Sequence, residues 1–367
     1  MRILSAIMFA PYWGKELPTD LLDLEDGPTV GGGEEAGIRT AVEAAALGHE
    51  VVCYGPLKSG RWRGVEFRGP EASFYPEVVA GGWDVIVSWS SVRPLELAGP
   101  GTRRIFAQQL NDLAGAGLWD RVDCVISPSR DHAEQVWHSW GWRGKRAVVH
   151  NGLMPELYAD APAWHDRPLD VGYWSSPDRG LHHLLRAWPS VRERVPGARL
   201  HVFYEIKRYL EMIEPLPLFF IGARGIEVRD LMRSAAQDKS IIFHGAVTRR
   251  RLADFQRNCR VMCYPFDPVC YTEGFCGAVN QGIGAGCTVL TRPKDALPSL
   301  FEGRVHWLGW AGADARQFVQ EVADQTVRAL RGELPDQERR RTAPRRPFTW
   351  QAAGREFVDA CAGVGWF

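Results

Sequence analysis

Several signatures are missing from these 367 residues, and each absence removes a class of function. Charge of one sign is not in excess: 44 Lys and Arg face 44 Asp and Glu, so nothing in the balance points to nucleic acid. No apolar run approaches the roughly 18 residues that a membrane-spanning helix needs. The opening Met1-Arg2-Ile3-Leu4-Ser5-Ala6-Ile7 breaks at Pro11 before a secretory core could form, and the expectation is a soluble, cytoplasmic protein. The eight cysteines include no Cys-x-x-Cys pair. Cys259, Cys263, Cys270, Cys276 and Cys287 fall on predicted strands, loops and helices, which favours buried reduced thiols over a zinc knot. An Asp-x-Asp motif is absent too.

What is there is ordinary globular composition, 45% hydrophobic and 24% charged, with an unusual 15 tryptophans that a core alone does not require. Single cores stop growing near roughly 250 to 300 residues, so two domains are expected. Short apolar runs alternate with helical stretches, the pattern of parallel sheets with crossover helices. Strands are predicted at 2–9, 50–54, 83–88, 104–108, 122–127 and 147–150, with helices at 34–47 and 131–140, the second begun by Ser129 as N-cap. Residues 158–168, rich in Pro, Ala, Asp and Trp, read as a linker. The alternation restarts with strands at 169–174, 198–204, 240–245, 261–265 and 287–291, and helices at 180–195, 248–258 and 275–285. A short strand within 302–308, a periodic helix over 314–330, an arginine- and proline-rich linker over 335–347 and a last helix over 350–362 complete the chain.

Gly31-Gly32-Gly33 lies between the first strand and the first helix, where a free backbone and helix N–H groups suit an anion and a plain flexible turn is equally served. The run is not spaced as the Gly-x-Gly-x-x-Gly fingerprint, and the second strand ends at Tyr54 with no acidic residue for a ribose hydroxyl, which disfavours a nicotinamide site. The stretch from Tyr264 to Gly277 is more specific: a buried strand runs into a loop with one carboxylate, Glu273, and then into the helix start Gly274-Phe275-Cys276-Gly277, whose N–H groups suit a phosphate or sugar hydroxyls. Gln281 lies about two turns into that helix. Asn111-Asp112 follows a predicted strand and suits an Asx turn; His150 reads as a loop histidine, and His182 and His183 as half-exposed helix residues. Arg249-Arg250-Arg251 and the arginines from 339 to 346 read as solvated.

Taken together, Gly31-Gly32-Gly33, His150-Asn151-Gly152, Asp178-Arg179-Gly180 with Arg186-Ala187-Trp188-Pro189, Phe243-His244-Gly245, and Glu273-Gly274-Phe275 through Ala285-Gly286-Cys287 resemble the retaining nucleotide-sugar glycosyltransferases of the GT-B fold, family 4 type. The resemblance runs from about residue 1 to 360. It implies an α/β architecture of two tandem Rossmann-like domains facing a cleft: an acceptor domain over 1–160, a nucleotide-sugar domain over 161–345, and a helix in 346–367 that crosses back to the first. It implies a hexosyltransferase that moves a sugar from a nucleoside diphosphate sugar to a small-molecule or glycan acceptor with retention, without cofactor or essential metal. Carried over by residue, Glu273 matches the first glutamate of the family's Glu-x7-Glu motif, which holds the sugar hydroxyls; the second, on the ribose, is Gln281 here. Arg179 matches the basic residue that faces the diphosphate, while the arginine usual five positions earlier is Trp174, a departure that leaves Ser175, Ser176 or another basic side chain to compensate. Asn111 falls where a histidine often stands near the reacting sugar. Gly32, Gly33, Ser175, Gly274, Phe275, Cys276 and Gly277 complete the expected donor contacts. The two departures keep a non-catalytic nucleotide-sugar binder open, as the fold does an epimerase or phosphorylase.

Overall fold

The computed structural model describes residues 1–7, 26, 31–55, 59–69, 81–89, 91–109, 119–213, 215, 222–309, 314–342 and 347–367. It divides into two compact units, the first comprising Met1–Met154, Thr272–Gly277 and Phe348–Phe367 and the second Pro155–Tyr271 and Ala278–Pro347. The Pro155–Tyr158 turn is grouped with the second unit, where the Tyr158 hydroxyl donates to Gln256 Oε1 at 2.8 Å. Thr272–Gly277 is grouped with the first unit.

The first unit contains β1 (Arg2–Ile7), α1 (Gly32–Ala46), β2 (Glu50–Tyr54), β3 (Gly60–Trp62), β4 (Val65–Arg68), β5 (Val85–Trp89), β6 (Arg103–Ala107), β7 (Cys124–Ser127), α2 (Arg130–Trp140) and β8 (Lys145–Val148). Among the described residues these strands form one sheet in the order β3-β4-β2-β1-β5-β6-β7-β8. All neighbours are parallel except β3 and β4. Every residue of β5 and β7 is buried, as expected of parallel strands covered on both faces. Ser129 caps α2 as expected, its hydroxyl accepting the His132 N–H at 3.1 Å. The β3–β4 hairpin was not foreseen. Its turn, Arg63-Gly64, takes positive φ at both residues (46° and 83°), the geometry usually announced by Asn-Gly or Asp-Gly.

The second unit contains β9 (Asp170–Tyr173), α3 (Leu181–Arg194), β10 (Arg199–Phe203), α4 (Ile206–Ile213), α5 (Ala223–Ala235), β11 (Ile241–Gly245), α6 (Arg249–Asn258), β12 (Val261–Tyr264), α7 (Gly277–Gly284), β13 (Thr288–Thr291), α8 (Leu297–Phe301), β14 (His306–Trp307), α9 (Ala315–Arg331) and α10 (Gln337–Thr342). Its strands run β11-β10-β9-β12-β13-β14, all parallel. Two segments read as linkers are packed structure. In the first, the Trp164 indole donates to the Arg260 carbonyl at 2.8 Å and lies between the guanidinium groups of Arg260 and Arg341, each 4.9 Å from its centroid; Arg167, 5% exposed, donates to the Pro162 and Cys259 carbonyls. In the second, Gln337 is buried and donates to Thr288 Oγ1 and the Ala329 carbonyl, and Arg340 donates to the Val305 carbonyl. Gln337–Thr342 is therefore a helix rather than a tether, although Arg339 on it stays exposed beside Asp336; Arg345 and Arg346 lie outside the described residues.

The last helix, α11 (Trp350–Ala362), returns to the first unit and packs on α1. The entry is built by the His150-Asn151-Gly152 turn. Leu153 exchanges backbone hydrogen bonds with Phe348 and Trp350, and a Cβ on Gly152 would lie 2.3 Å from the Trp350 nitrogen, so only glycine lets the returning chain cross. The His150 N–H and Nδ1 both meet the Glu356 carboxylate, at 2.8 and 3.0 Å. Further along, a Cβ on Gly354 would lie 2.2 Å from Glu43 Cβ on α1. Gly354→Val should therefore force α1 and α11 apart and cost about 1 to 3 kcal/mol, read as a lower urea midpoint at unchanged slope. A variant as stable as the parent would show that this helix contact is not tight.

Candidate functional site

In an open α/β sheet, ligands gather outside the carboxyl ends of the strands where the strand order reverses. In the second unit the reversal falls between β9 and β12, so the loops at issue are 174–180 and 265–271. The first is fixed by four tyrosines. The Tyr173 hydroxyl donates to the Ser176 carbonyl at 2.6 Å, Ser175 Oγ donates to the Tyr264 hydroxyl at 3.2 Å, Ser176 Oγ donates to the Tyr204 hydroxyl at 3.1 Å, and the Tyr209 hydroxyl donates to Asp178 Oδ1 at 2.7 Å. Burial and the Asp178 charge push the Tyr209 phenol far above its ordinary value, so it remains a donor. The loop ends at Gly180 (φ +129°), where a Cβ would lie 2.2 Å from the Pro265 carbonyl oxygen. α3 then starts with no side-chain cap and no acidic residue in its first turn, leaving a positive dipole end at the reversal point. Half-buried Arg179 sits on this loop, near enough to Tyr204, Tyr209 and Cys270, whose pKa values burial raises, for its charge to offset part of that rise, and its carbonyl accepts the Asp267 N–H at 3.1 Å.

Asp267, on the second loop, gathers a cluster that the sequence did not announce. Its Oδ1 accepts from Arg292 at 2.8 Å, its Oδ2 meets His183 Nε2 at 3.0 Å, and Arg224 stands at 3.5 Å. Burial alone would raise this carboxyl; the His183 bond and the Arg224 and Arg292 charges override it and hold it well below the usual range. His182 and His183, expected to be half exposed, are 1% and 4% exposed. Burial lowers both, and His182 falls further through the charges of His183 and Arg224, so both rings are neutral near pH 7. His182, His183 and Asp267 offer three ligand atoms within 4.8 Å of one another, a group that could hold a metal ion. The Arg224 guanidinium contacts His182 and Asp267, so a cation of the chain itself stands there. Asp267 lay in view as part of the Tyr264–Gly277 stretch; Arg224, from a helix that was not predicted, had no sequence signal.

The other expected residues are distributed as follows. Trp174 is a core residue: its indole donates to the Ala278 carbonyl at 2.9 Å and lies against Gly172 and Gly282, where added Cβ atoms would come within 2.2 and 3.4 Å of its ring. Gln281 is half-buried, and its Oε1 accepts from Gln256 Nε2 at 3.1 Å, which leaves its own NH2 as the free-standing donor. Glu273, Phe275 and Cys276 are buried. They lie on the segment grouped with the first unit, where a Cβ on Gly274 would meet the His132 ring at 2.7 Å and the Phe275 ring stands 6.4 Å from His150 and 5.3 Å from Phe348. Gly277 faces open space. At Gly32 and Gly33 the α1 start is met by the chain's own Glu34: its carboxylate folds back to within 2.2 Å of where a Gly31 Cβ would be and accepts its own backbone N–H. Asn111 lies outside the described residues. Seven cysteines are buried as expected, but Cys270, on the 265–271 loop, is exposed. A separate cavity of about 960 Å³ opens at the other edge of the first unit's sheet, lined by Asp84, Arg103, Arg104, Asp123, Lys145 and Trp366 where β5 to β8 begin.

No family model matches the chain, and no curated protein sequence does. Solved structures match over the full length. The chain is similar to sucrose-phosphate synthase from Thermosynechococcus elongatus (13% identity, TM-score 0.62, 99% of each chain). It is similar to a glycosyltransferase from Rickettsia africae (10% identity, TM-score 0.64, 99% of this chain and 98% of that one). It is also similar to Anabaena Alr3699/HepE, solved with UDP and glucose (13% identity, TM-score 0.62, 99% and 100%). The fold is therefore GT-B, the one implied by the family 4 resemblance, with α11 returning to α1. Among the described residues no helix is long and apolar enough to cross a membrane.

The neutral histidines give a pH dependence with a definite sign. Folded-state pKa values below the unfolded value mean that the unfolded chain binds more protons under acid conditions. Their contribution to stability is complete above about pH 6.5 and is lost progressively as the pH falls. The thermal midpoint should drop between pH 7.5 and pH 5, and replacing His182 and His183 together by Gln should flatten that drop. A midpoint equal or higher at pH 5 in the parent protein would contradict the buried neutral rings.

Proposed function

We propose that the chain is a retaining hexosyltransferase that moves a sugar from a nucleoside diphosphate sugar to an acceptor, without a metal ion. The observation that carries this reading is the loop Ser175–Gly180, fixed by four tyrosines at the β9/β12 reversal and running into an uncapped helix start. A rigid loop, an arginine and a helix dipole suit a diphosphate leaving group, because charge that develops there is met by groups that need not reorganise. In this reading Arg179, Ser175 and the backbone of Gly274–Gly277 face the diphosphate, Glu273 accepts from the sugar hydroxyls, and Gln281 serves the ribose through the NH2 that Gln256 leaves available. In the same reading the Gly32-Gly33 turn also contacts the donor, and Asn111 stands near the reacting sugar. The bond from the anomeric carbon to the phosphate oxygen breaks as the acceptor oxygen bonds to the same face, and the acceptor's proton passes to a phosphate oxygen of the leaving group. The protein's share is positioning and electrostatics.

A second reading, binding without transfer, is favoured by Trp174, whose indole is committed to the Ala278 carbonyl where the resemblance expects a cation. One titration series separates the two. With a chelator present, one nucleoside diphosphate at about 100 times its dissociation constant should add about 2.7 kcal/mol to the unfolding free energy. Stabilisation by no nucleotide, or only with magnesium or manganese, would refute the metal-free donor site. Glu273→Gln should lower transfer by about 10- to 100-fold, the loss of a charge-assisted bond, while the free diphosphate binds nearly as before. Nucleotide binding with no transfer to any acceptor by the parent protein would favour the second reading.

A further inference from the structure

The proposed donor site is one cation short, since Trp174 turns into the core; the inference that follows rests on that reading. Besides Arg179, two arginines among the described residues reach the β12 loop, as does Lys294, whose ammonium donates to the Pro268 carbonyl at 3.0 Å, and the two arginines are held differently. Arg292 is built in: its Nη1 donates to Asp267 Oδ1 at 2.8 Å and to the Phe266 carbonyl at 3.2 Å, and its guanidinium lies 5.0 Å from the Phe318 ring. Arg224 is not. With Asp267 Oδ1 given to Arg292 and Oδ2 to His183, Arg224 has carboxylate oxygens only at 3.4 Å (Glu227) and 3.5 Å (Asp267) among the described residues. Its shorter contacts go to the nitrogens of the His182 ring rather than to a carboxylate. A guanidinium held by a ring and two long ion pairs gives up less on turning to a new anion than one in a short bidentate carboxylate pair.

Its position is also defined. α5 packs on the Pro177–Arg179 turn, and Arg224 Nη1 donates to the Asp267 carbonyl at 3.4 Å, while the N–H of that same residue donates to the Arg179 carbonyl. The Arg224 guanidinium and the Arg179 turn therefore share one residue as their common neighbour, at the carboxyl end of β12 beside the uncapped start of α3. We propose that Arg224 is the second diphosphate-binding cation, supplied by α5 in place of the missing arginine at position 174, with the His182 ring as the rest that holds it when no ligand is bound. Arg224 would donate to the oxygens of the distal phosphate and assist departure of the diphosphate.

Calorimetric titration of the parent, Arg224→Gln and Arg224→Lys with a nucleoside, its monophosphate and its diphosphate tests this, with the base chosen by the nucleotide that stabilises the parent. Arg224→Gln should bind the diphosphate at least about tenfold more weakly, the monophosphate less affected and the nucleoside unchanged, and the salt dependence of diphosphate binding should become shallower. Arg224→Lys, which keeps the charge but not the fork, should recover part of the loss. Should the glutamine variant fail to fold, Arg224→Met keeps the stem's packing and should show the same graded pattern. Equal affinities for the diphosphate in parent and variant would overturn the assignment. So would an equal loss for all three ligands, which is the mark of a loosened α5. A parent that binds no diphosphate refutes the donor reading itself, whichever way the variants behave.

Discussion

The strand-end loops of the second unit depend on one carboxylate. Asp267 is surrounded by His183, Arg292 and Arg224, and its backbone N–H ties the Arg179 turn to the end of β12. Buried charges of this kind add little net stability when complete and cost several kcal/mol when one partner is removed, so their effect is to specify one arrangement rather than to deepen the fold. Here the arrangement specified is the approach of loop 174–180 to loop 265–271. Gly180 makes that approach sterically possible against the Pro265 carbonyl, and the tyrosines make it rigid. Two loops from opposite sides of a strand-order reversal would otherwise be free to move independently.

Elements that rest on local pattern were legible. Predominantly apolar runs such as Val85–Trp89 and Val261–Tyr264 name buried parallel strands, and Ser129 names a helix start, because burial and capping are decided within a few residues. What escaped depends on partners distant in sequence. His182 and His183 read as half exposed since a helix face alone does not reveal that Asp267 and Phe318 cover them. Arg340 and Arg341 read as solvated since their charge is visible and their carbonyl and indole partners, Val305 and Trp164, are not, whereas Arg339 is exposed as expected. The tyrosine cage has no spacing: Tyr173, Tyr204, Tyr209 and Tyr264 meet only once β9, β10, α4 and β12 are assembled.

The expected site residues separate by the same logic. Glu273 stands out in the sequence as a carboxylate on a strand-to-helix loop and Arg179 only through the family 4 resemblance; the glycine beside each, Gly274 or Gly180, lies against a neighbour that the sequence does not show, the His132 ring in one case and the Pro265 carbonyl in the other. Trp174 is the instructive departure. An indole at the end of β9 finds its favourable place on the apolar surface left by Gly172 and Gly282, where its N–H reaches the Ala278 carbonyl.

The two units place opposite charges at equivalent points of equivalent topology. Each sheet reverses its strand order beside its first strand, between β1 and β5 in one and between β9 and β12 in the other, and a helix begins near each reversal. At α1 the first turn carries Glu34 and Glu35, and the Glu34 carboxylate, buried and with its carboxyl raised by that burial, already satisfies the helix start from within the chain. At α3 the first turn has no acidic residue and no cap, and arginines stand on both sides of it. An incoming anion meets a filled dipole end in the first unit and an open one in the second. The asymmetry makes the α3 start, and not the α1 start, the one of the two that favours a bound anion.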